Sequence, residues 1–198
     1  MTRLISGRRI APIALFLALV TIATTPMAMA ATNIGTGDVA GAPSSLAQST
    51  DFILTTTTLQ LYKRAFLPDG TVVGSGTSVP AGTTVKFMIY VHNDTLVPLN
   101  DLSLRDALDG GTFVYQTDSI RVLDTQDCLA TVCTVGEELT IFNAVEATGA
   151  LTDAELAGDA VSWDGTNVDV GNSQDLNNDQ VNVPAGNVYA VTFAVVMQ

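Results

Sequence analysis

The sequence predicts an all-β fold, an antiparallel β-sandwich with one short helix, on three observations. Two segments alternate apolar and polar side chains with a period of two, Val85 to His92 and Tyr189 to Val195, as a strand with one buried face requires. Many shorter strand-like runs recur between them, punctuated by Gly, Pro, Asn and Asp, the pattern of antiparallel sheets rather than of βαβ units. One helical signal accompanies them: Thr152-Asp-Ala-Glu155 has capping-box spacing, and Gly158 stands at a plausible C-terminal stop.

Taken in chain order, residues 1–30 have the layout of a secretory signal peptide. Arg3, Arg8 and Arg9 form a positive leading region, Ile10 to Ile22 is an apolar stretch of 13 residues, and Ala28-Met29-Ala30 is a small-x-small cleavage site. The apolar stretch is shorter than the roughly 17–25 residues a membrane-spanning helix needs. The residues around Arg8-Arg9 fit a twin-arginine signal poorly, which favours the general secretory route. The expectation is an exported chain starting at Ala31, periplasmic, cell-surface or extracellular, with no stable membrane anchor once the signal is cut. Residues 31–50 are small, polar and Gly/Ala-rich without a sustained period, so a flexible N-terminal arm is expected. The sandwich domain is assigned to residues 51–198.

Within that domain, Thr55 to Leu61 reads as a first strand, and Pro68-Asp69-Gly70 as a turn in which Pro pre-sets φ and Gly accepts a positive φ. Val85, Phe87, Ile89 and Val91 then alternate with Lys86, Met88, Tyr90 and His92, which places the second set, His92 included, on the solvent side. Leu102 and Leu104 alternate with Ser103 and Arg105 in the same way. Shorter strands are expected at Thr112 to Tyr115, Ser119 to Leu123, Leu139 to Phe142, Val161 to Trp163, Asn167 to Val170 and Gln180 to Val183. The last strand sets Tyr189, Val191, Phe193 and Val195 on one face. Val79-Pro-Ala-Gly82 and Val183-Pro-Ala-Gly186 echo each other, each leading into a long alternating strand, and read as one turn used twice.

Pro80-Ala-Gly-Thr-Thr-Val85-Lys-Phe-Met-Ile-Tyr-Val91-His-Asn93 resembles the opening of a bacterial surface repeat, the conserved-repeat domain of unknown function eleven. Leu99-Asn-Asp-Leu-Ser-Leu-Arg-Asp106-Ala-Leu108 is similar to its next segment, and Thr112 to Tyr115, Ser119-Ile120 and Val183 to Phe193 to its later ones. The chain departs from the family at Asp94-Thr-Leu96, at Asp109-Gly-Gly111 and in the longer stretch 124–160. The resemblance implies an immunoglobulin-like β-sandwich in an exported, often surface-attached protein. It carries over no catalytic residue.

Charge excludes several classes of function. The chain has 20 Asp+Glu and 8 Lys+Arg. Removing residues 1–30 takes three of the basic residues and no acidic one, leaving 5 against 20 and a net charge of −15. Binding to nucleic acid needs clustered cations to neutralise phosphates, and anionic lipid repels such a chain. One His and two Cys cannot assemble a usual three- or four-ligand zinc site.

Few residues suggest chemistry. Cys128 and Cys133 enclose four residues, and in an oxidising compartment they are expected to pair, closing a loop that stabilises by roughly 2 kcal/mol. Their spacing is not Cys-x-x-Cys, which argues against a redox pair. His92 is the one imidazole base, and no spacing joins it to a serine and an acid. Trp163 alternates with Val161 and reads as core rather than as a ligand platform. Asp175, Asn177 and Asp179 have the spacing of oxygen ligands in a Ca²⁺ loop, but Gln180 stands where the turning Gly belongs and Gly186 where the bidentate Glu belongs. An Asn/Asp-rich solvated hairpin loop explains the same residues.

Three functions are therefore carried forward. The first is a non-catalytic structural or surface-interaction protein whose partners are other envelope or matrix proteins. The second is a filament subunit whose partner is itself, joined by strand exchange. The third is a small-ligand or Ca²⁺-binding module. No other cofactor is expected.

Overall fold

A computed structural model of the chain describes the backbone of Ile34–Val39 and Leu54–Thr55, and residues 60–129, 131–155, 158–172 and 177–198. The expected signal peptide, residues 1–30, lies outside the described residues. The strands are β1 (Ile34–Val39), β2 (Leu54–Thr55), β3 (Gln60–Phe66), β4 (Val72–Val73), β5 (Thr84–His92), β6 (Leu99–Ala107), β7 (Phe113–Tyr115) and β8 (Arg121–Thr125), then β9 (Val161–Trp163), β10 (Asn167–Val170), β11 (Val181–Val183) and β12 (Val188–Met197). One helix, α1 (Val135–Glu146), lies between β8 and β9.

The strands form two antiparallel sheets, so the all-β sandwich with one helix is the fold. One sheet runs β1-β6-β10-β9, with β11 pairing the first part of β6; the other runs β2-β3-β5-β12-β7, with β4 on β3 and β8 on β12. The core lies between them. Val85, Phe87, Ile89 and Val91 of β5 and Tyr189, Val191, Phe193 and Val195 of β12 face Leu102 and Leu104 of β6 and Val168 and Val170 of β10. These are the faces that the period of two assigns inward. At full burial each such side chain contributes about 1.5–3 kcal/mol.

Turn chemistry holds as the sequence states it. Gly70 has φ +86° and donates to Leu67 O. The two Val-Pro-Ala-Gly segments form the same turn, with Gly82 at φ +82° and Gly186 at φ +73° and matching bonds from Thr83 N to Pro80 O and from Asn187 N to Pro184 O. Each turn also reaches the far end of the other's strand: Gly82 N donates to Met197 O, and Gly186 N donates to Asn93 O.

The helix is where sequence and structure part. Leu139 to Phe142, expected as a strand, is the middle of α1, while 152–155, expected to begin the helix, is irregular. A complete capping box starts α1 one residue after Cys133: Glu137 N donates to the Thr134 side chain, and Thr134 N donates to Glu137. The helix buries Ile141, Phe142 and Val145 on the face of the β3–β5–β12 sheet that the alternation of β5 assigns to solvent. Tyr62, Phe66, Met88, Tyr90, Val188 and Ala190 meet it there in a second core, with Phe66 stacked on Phe142 at 4.1 Å. Asp153 serves a different end, accepting hydrogen bonds from Tyr115 Oη at 2.5 Å and Asp118 N at 2.9 Å. That competing use of its carboxylate opposes a helix start at Thr152.

Residues 31–50, expected as an unpatterned arm, include β1. Its six residues pair antiparallel with β6, from Ile34 opposite Ala107 to Val39 opposite Leu102. The glycines at 35 and 37, poor strand formers by propensity, lie inside this pairing.

Candidate functional site

The site is built at the end of the sandwich where β5 finishes. The disulfide expected from the sequence is present, joining Cys128 and Cys133 with Cα atoms 5.2 Å apart, and both residues are buried. Glu137 ties this loop to the helix that follows, because Leu129 N donates to Glu137 Oε1 at 2.9 Å. Asn187 holds the segment ahead of the disulfide against β12: its amide donates to Asp124 Oδ1 at 2.6 Å and accepts from Gln126 Nε2 at 3.0 Å.

Beneath this loop lies His92. The alternation of β5 predicts a solvent-facing ring, yet His92 is 3% exposed, because the disulfide loop covers that face. Its Nδ1 is 3.2 Å from Thr131 O and 3.6 Å from Cys128 Sγ. Beside it Asn93 is fully buried and fully engaged. Its Nδ2 donates to Val97 O at 2.9 Å and to Val183 O and Pro184 O at 3.0 Å, and its Oδ1 accepts from Thr95. One side chain thus fixes the loop 93–98 to the second Val-Pro-Ala-Gly turn.

His92, Asp94, Gln126, Cys128, Leu129, Thr131 and Gly186 line a cleft of about 440 Å³. Its rim is apolar. Leu129 is 91% exposed, and Leu96, on the loop that supplies Asp94, is 97% exposed; Val97, Val132 and Val135 are exposed as well. Large apolar side chains displayed on well-anchored loops are suited to a protein contact.

The chemistry open to this cleft is narrow. His92, Cys128 and Cys133 are near enough to share a metal ion, but both sulfurs are spent in the disulfide, and a sulfur ligand is a thiolate. Asp94 is the one carboxylate in the lining. Trp163 stands elsewhere, stacked on Tyr115 at 4.2 Å and packed on the main core.

The acidic loop residues are partly placed. Asp175 lies outside the described residues. Asn177 Nδ2 donates to Glu155 Oε2 at 2.8 Å, and Asp179 Oδ1 accepts from Gly158 N at 3.1 Å. Asp169, on β10, takes a two-pronged bond from Arg105 at 2.6 and 2.9 Å. Burial and the neighbouring Asp179 raise the Asp159 carboxyl above its ordinary range.

Sequence reasoning missed the second polar cluster, under α1. Glu138 is buried; both of its carboxylate oxygens accept from Arg64 Nε, at 2.9 and 3.0 Å, and Oε1 also accepts from Tyr90 Oη at 2.6 Å. Burial, and then that bond, push the Tyr90 phenol far up. Glu146 similarly receives Lys86 and, at 2.8 Å, Thr192 Oγ1. The signal was present: Thr134-x-x-Glu137 is a capping box, and Ile141, Phe142 and Val145 follow at helical spacing.

No family model, no curated protein and no solved structure matches this chain. Among the described residues, no helix is long and apolar enough to cross a membrane.

Proposed function

We propose that the chain is an exported, non-catalytic structural or surface-interaction protein of the cell envelope or extracellular matrix, with an immunoglobulin-like sandwich as its scaffold. The observation that carries this reading is the display to solvent of Leu129, in the lining of the cleft, and of Leu96, on the loop that supplies Asp94. Both stand on loops pinned by a disulfide, by Asn93 and by Asn187. The signal-like residues 1–30 and the resemblance to a surface repeat support the location. The partner is another envelope or matrix protein.

The test follows the full-length chain through cell fractionation. On this reading the protein is processed near Ala31 and recovered with envelope or matrix material, and Leu96→Asp with Leu129→Asp releases it into the soluble fraction. An unprocessed chain, or a double variant distributed like the parent, overturns the reading.

A second reading, a filament subunit joined by strand exchange, is favoured by β1. This strand contributes its ladder to the edge of β6, and the same ladder could be supplied by a neighbouring copy. Deleting residues 31–50 then abolishes polymers seen by light scattering and negative-stain imaging while leaving the sandwich folded. Polymers that survive the deletion exclude exchange of this strand.

A further inference from the structure

The sandwich core contains a lysine and an aspartate that the ladder pattern turns inward from opposite sheets. Lys63 lies between Leu61 and Ala65 on the inward face of β3, and Asp106 follows Leu102 and Leu104 on the inward face of β6. Lys63 Nζ is 2.6 Å from Asp106 Oδ2, with the side chains 16% and 1% exposed. The lysine nitrogen also lies 4.3 Å from the centre of the Phe87 ring and 5.8 Å from that of Phe193. Asp106 Oδ1 has no hydrogen-bond partner among the described residues.

That environment suits a charged pair poorly. Removing two ions from water is costly unless their remaining lone pairs and protons are satisfied, and Oδ1 is not. Burial lowers the pKa of the Lys63 amine and raises that of the Asp106 carboxyl, against the attraction between them. Both shifts favour the neutral forms, reached when one proton crosses the 2.6 Å hydrogen bond. The result is a free amine lone pair held against a carboxylic acid in a site lined by aromatic rings.

We propose that Lys63 and Asp106 condense into an isopeptide bond that fastens β3 of one sheet to β6 of the other. The amine attacks Asp106 Cγ, forming the C–N bond. One Cγ–O bond then breaks, and its oxygen leaves as water, carrying one proton from the carboxyl and one from the amine. The product is a secondary amide, so the step needs no oxidant, reductant or co-reactant. The amide keeps one N–H donor and one carbonyl acceptor and carries no charge, so it removes the ionic burial that the uncondensed pair sustains.

The experiment is the intact mass of the purified, folded full chain, as processed by its host, with the disulfide reduced before measurement. The expected mass is lower than that of the sequence by one water, and tandem fragmentation of a digest yields a branched peptide joining the segments that hold Lys63 and Asp106. Lys63→Arg restores the full sequence mass. Asp106→Asn gives a loss of ammonia in place of water, because the leaving group is then the amide nitrogen. A full-mass parent with native β-sheet circular dichroism overturns the proposal. So does a water loss that persists in Lys63→Arg, which would place the dehydration at Asp69-Gly70 or Asp109-Gly110. If Lys63→Arg does not fold, the branched peptide of the parent decides the matter: its presence upholds the bond and its absence refutes it.

Discussion

Asn93 shows how much one buried polar side chain can organise. Its amide nitrogen serves three carbonyls and its oxygen a threonine, all at the join between a loop and a turn. Truncating it leaves the buried Val183 carbonyl without this donor and frees the loop from the turn, which costs about 1–3 kcal/mol for each buried group left unsatisfied. Asn93→Ala is therefore expected to lower unfolding stability by about 2–3 kcal/mol in urea titration, with Asn93→Asp no better. Asp164 offers a pH-dependent counterpart. Partial burial alone would raise its pKa, but bonds from Asn167 and Thr166 and the charge of Arg105 outweigh that and hold it below the ordinary carboxylate range. A depressed folded pKa contributes stability above the unfolded pKa, about 3.9, and the contribution is lost as pH falls through the folded value. Asp164→Asn should thus be less stable than the parent at pH 7, and the two stability curves should converge as pH falls through the folded value.

The elements divide by how far their signals are local. Strands β5 and β12 were legible because Val85 to Val91 and Tyr189 to Val195 alternate without interruption, and the Val-Pro-Ala-Gly turns because Pro and Gly fix their own backbone angles. Helix α1 was not, because Leu139-Thr-Ile-Phe142 taken alone has strand propensity. Its local marks are the Thr134-x-x-Glu137 capping box and the helical spacing of Ile141, Phe142 and Val145, and packing on Phe66 and Tyr90, brought from β3 and β5, tips the balance to helix. The same packing explains His92: its side of β5 is polar enough to read as exposed, yet it is roofed by residues 128–145 from outside the strand. Of the cleft, the disulfide was legible in the cysteine spacing, whereas Leu96 and Leu129 carry no local signal, since exposure is a property of the assembled chain. Two substitutions weigh the helix terms. Phe142→Ala should cost about 3–5 kcal/mol through the cavity it leaves, and Thr134→Ala about 1 kcal/mol through the lost cap. Chemical denaturation of each variant measures both, and a smaller loss for Phe142→Ala than for Thr134→Ala would deny that α1 closes a true core.

For the whole molecule the balance of charge sets the character of the surface. Each of the five Lys and Arg residues beyond position 30 bonds or faces an acid of the fold: Lys63 with Asp106, Arg64 with Glu138, Lys86 and Arg121 with Glu146, and Arg105 with Asp169. Asp164 shares Arg105 with Asp169, and acids outnumber cations 20 to 5 beyond position 30, so the exterior is strongly anionic. On the filament reading, association should then accelerate when salt rises from about 0.02 M to 0.5 M, because the screening length falls from over 20 Å to under 5 Å. Light scattering against ionic strength reads this directly, and a rate that falls with salt would point to a basic partner in place of a second copy.

The reciprocal grip of the two Pro-Ala-Gly turns has a mechanical consequence. Gln60 and Val188 both stand opposite His92, so β3 begins at the end of the sheet where β12 begins, and Gln198 leaves from the other end. Tension applied between the start of β3 and the C-terminus therefore loads the β3–β5 ladder of seven pairs and, in series with it, the β5–β12 ladder along their lengths, in shear. All nine residue pairs of the β5–β12 ladder, Val188↔His92 to Val196↔Thr84, resist together, and the bonds from Gly82 to Met197 and from Gly186 to Asn93 act as stops at its two ends. A chain pulled this way yields in one event at high force instead of unzipping pair by pair.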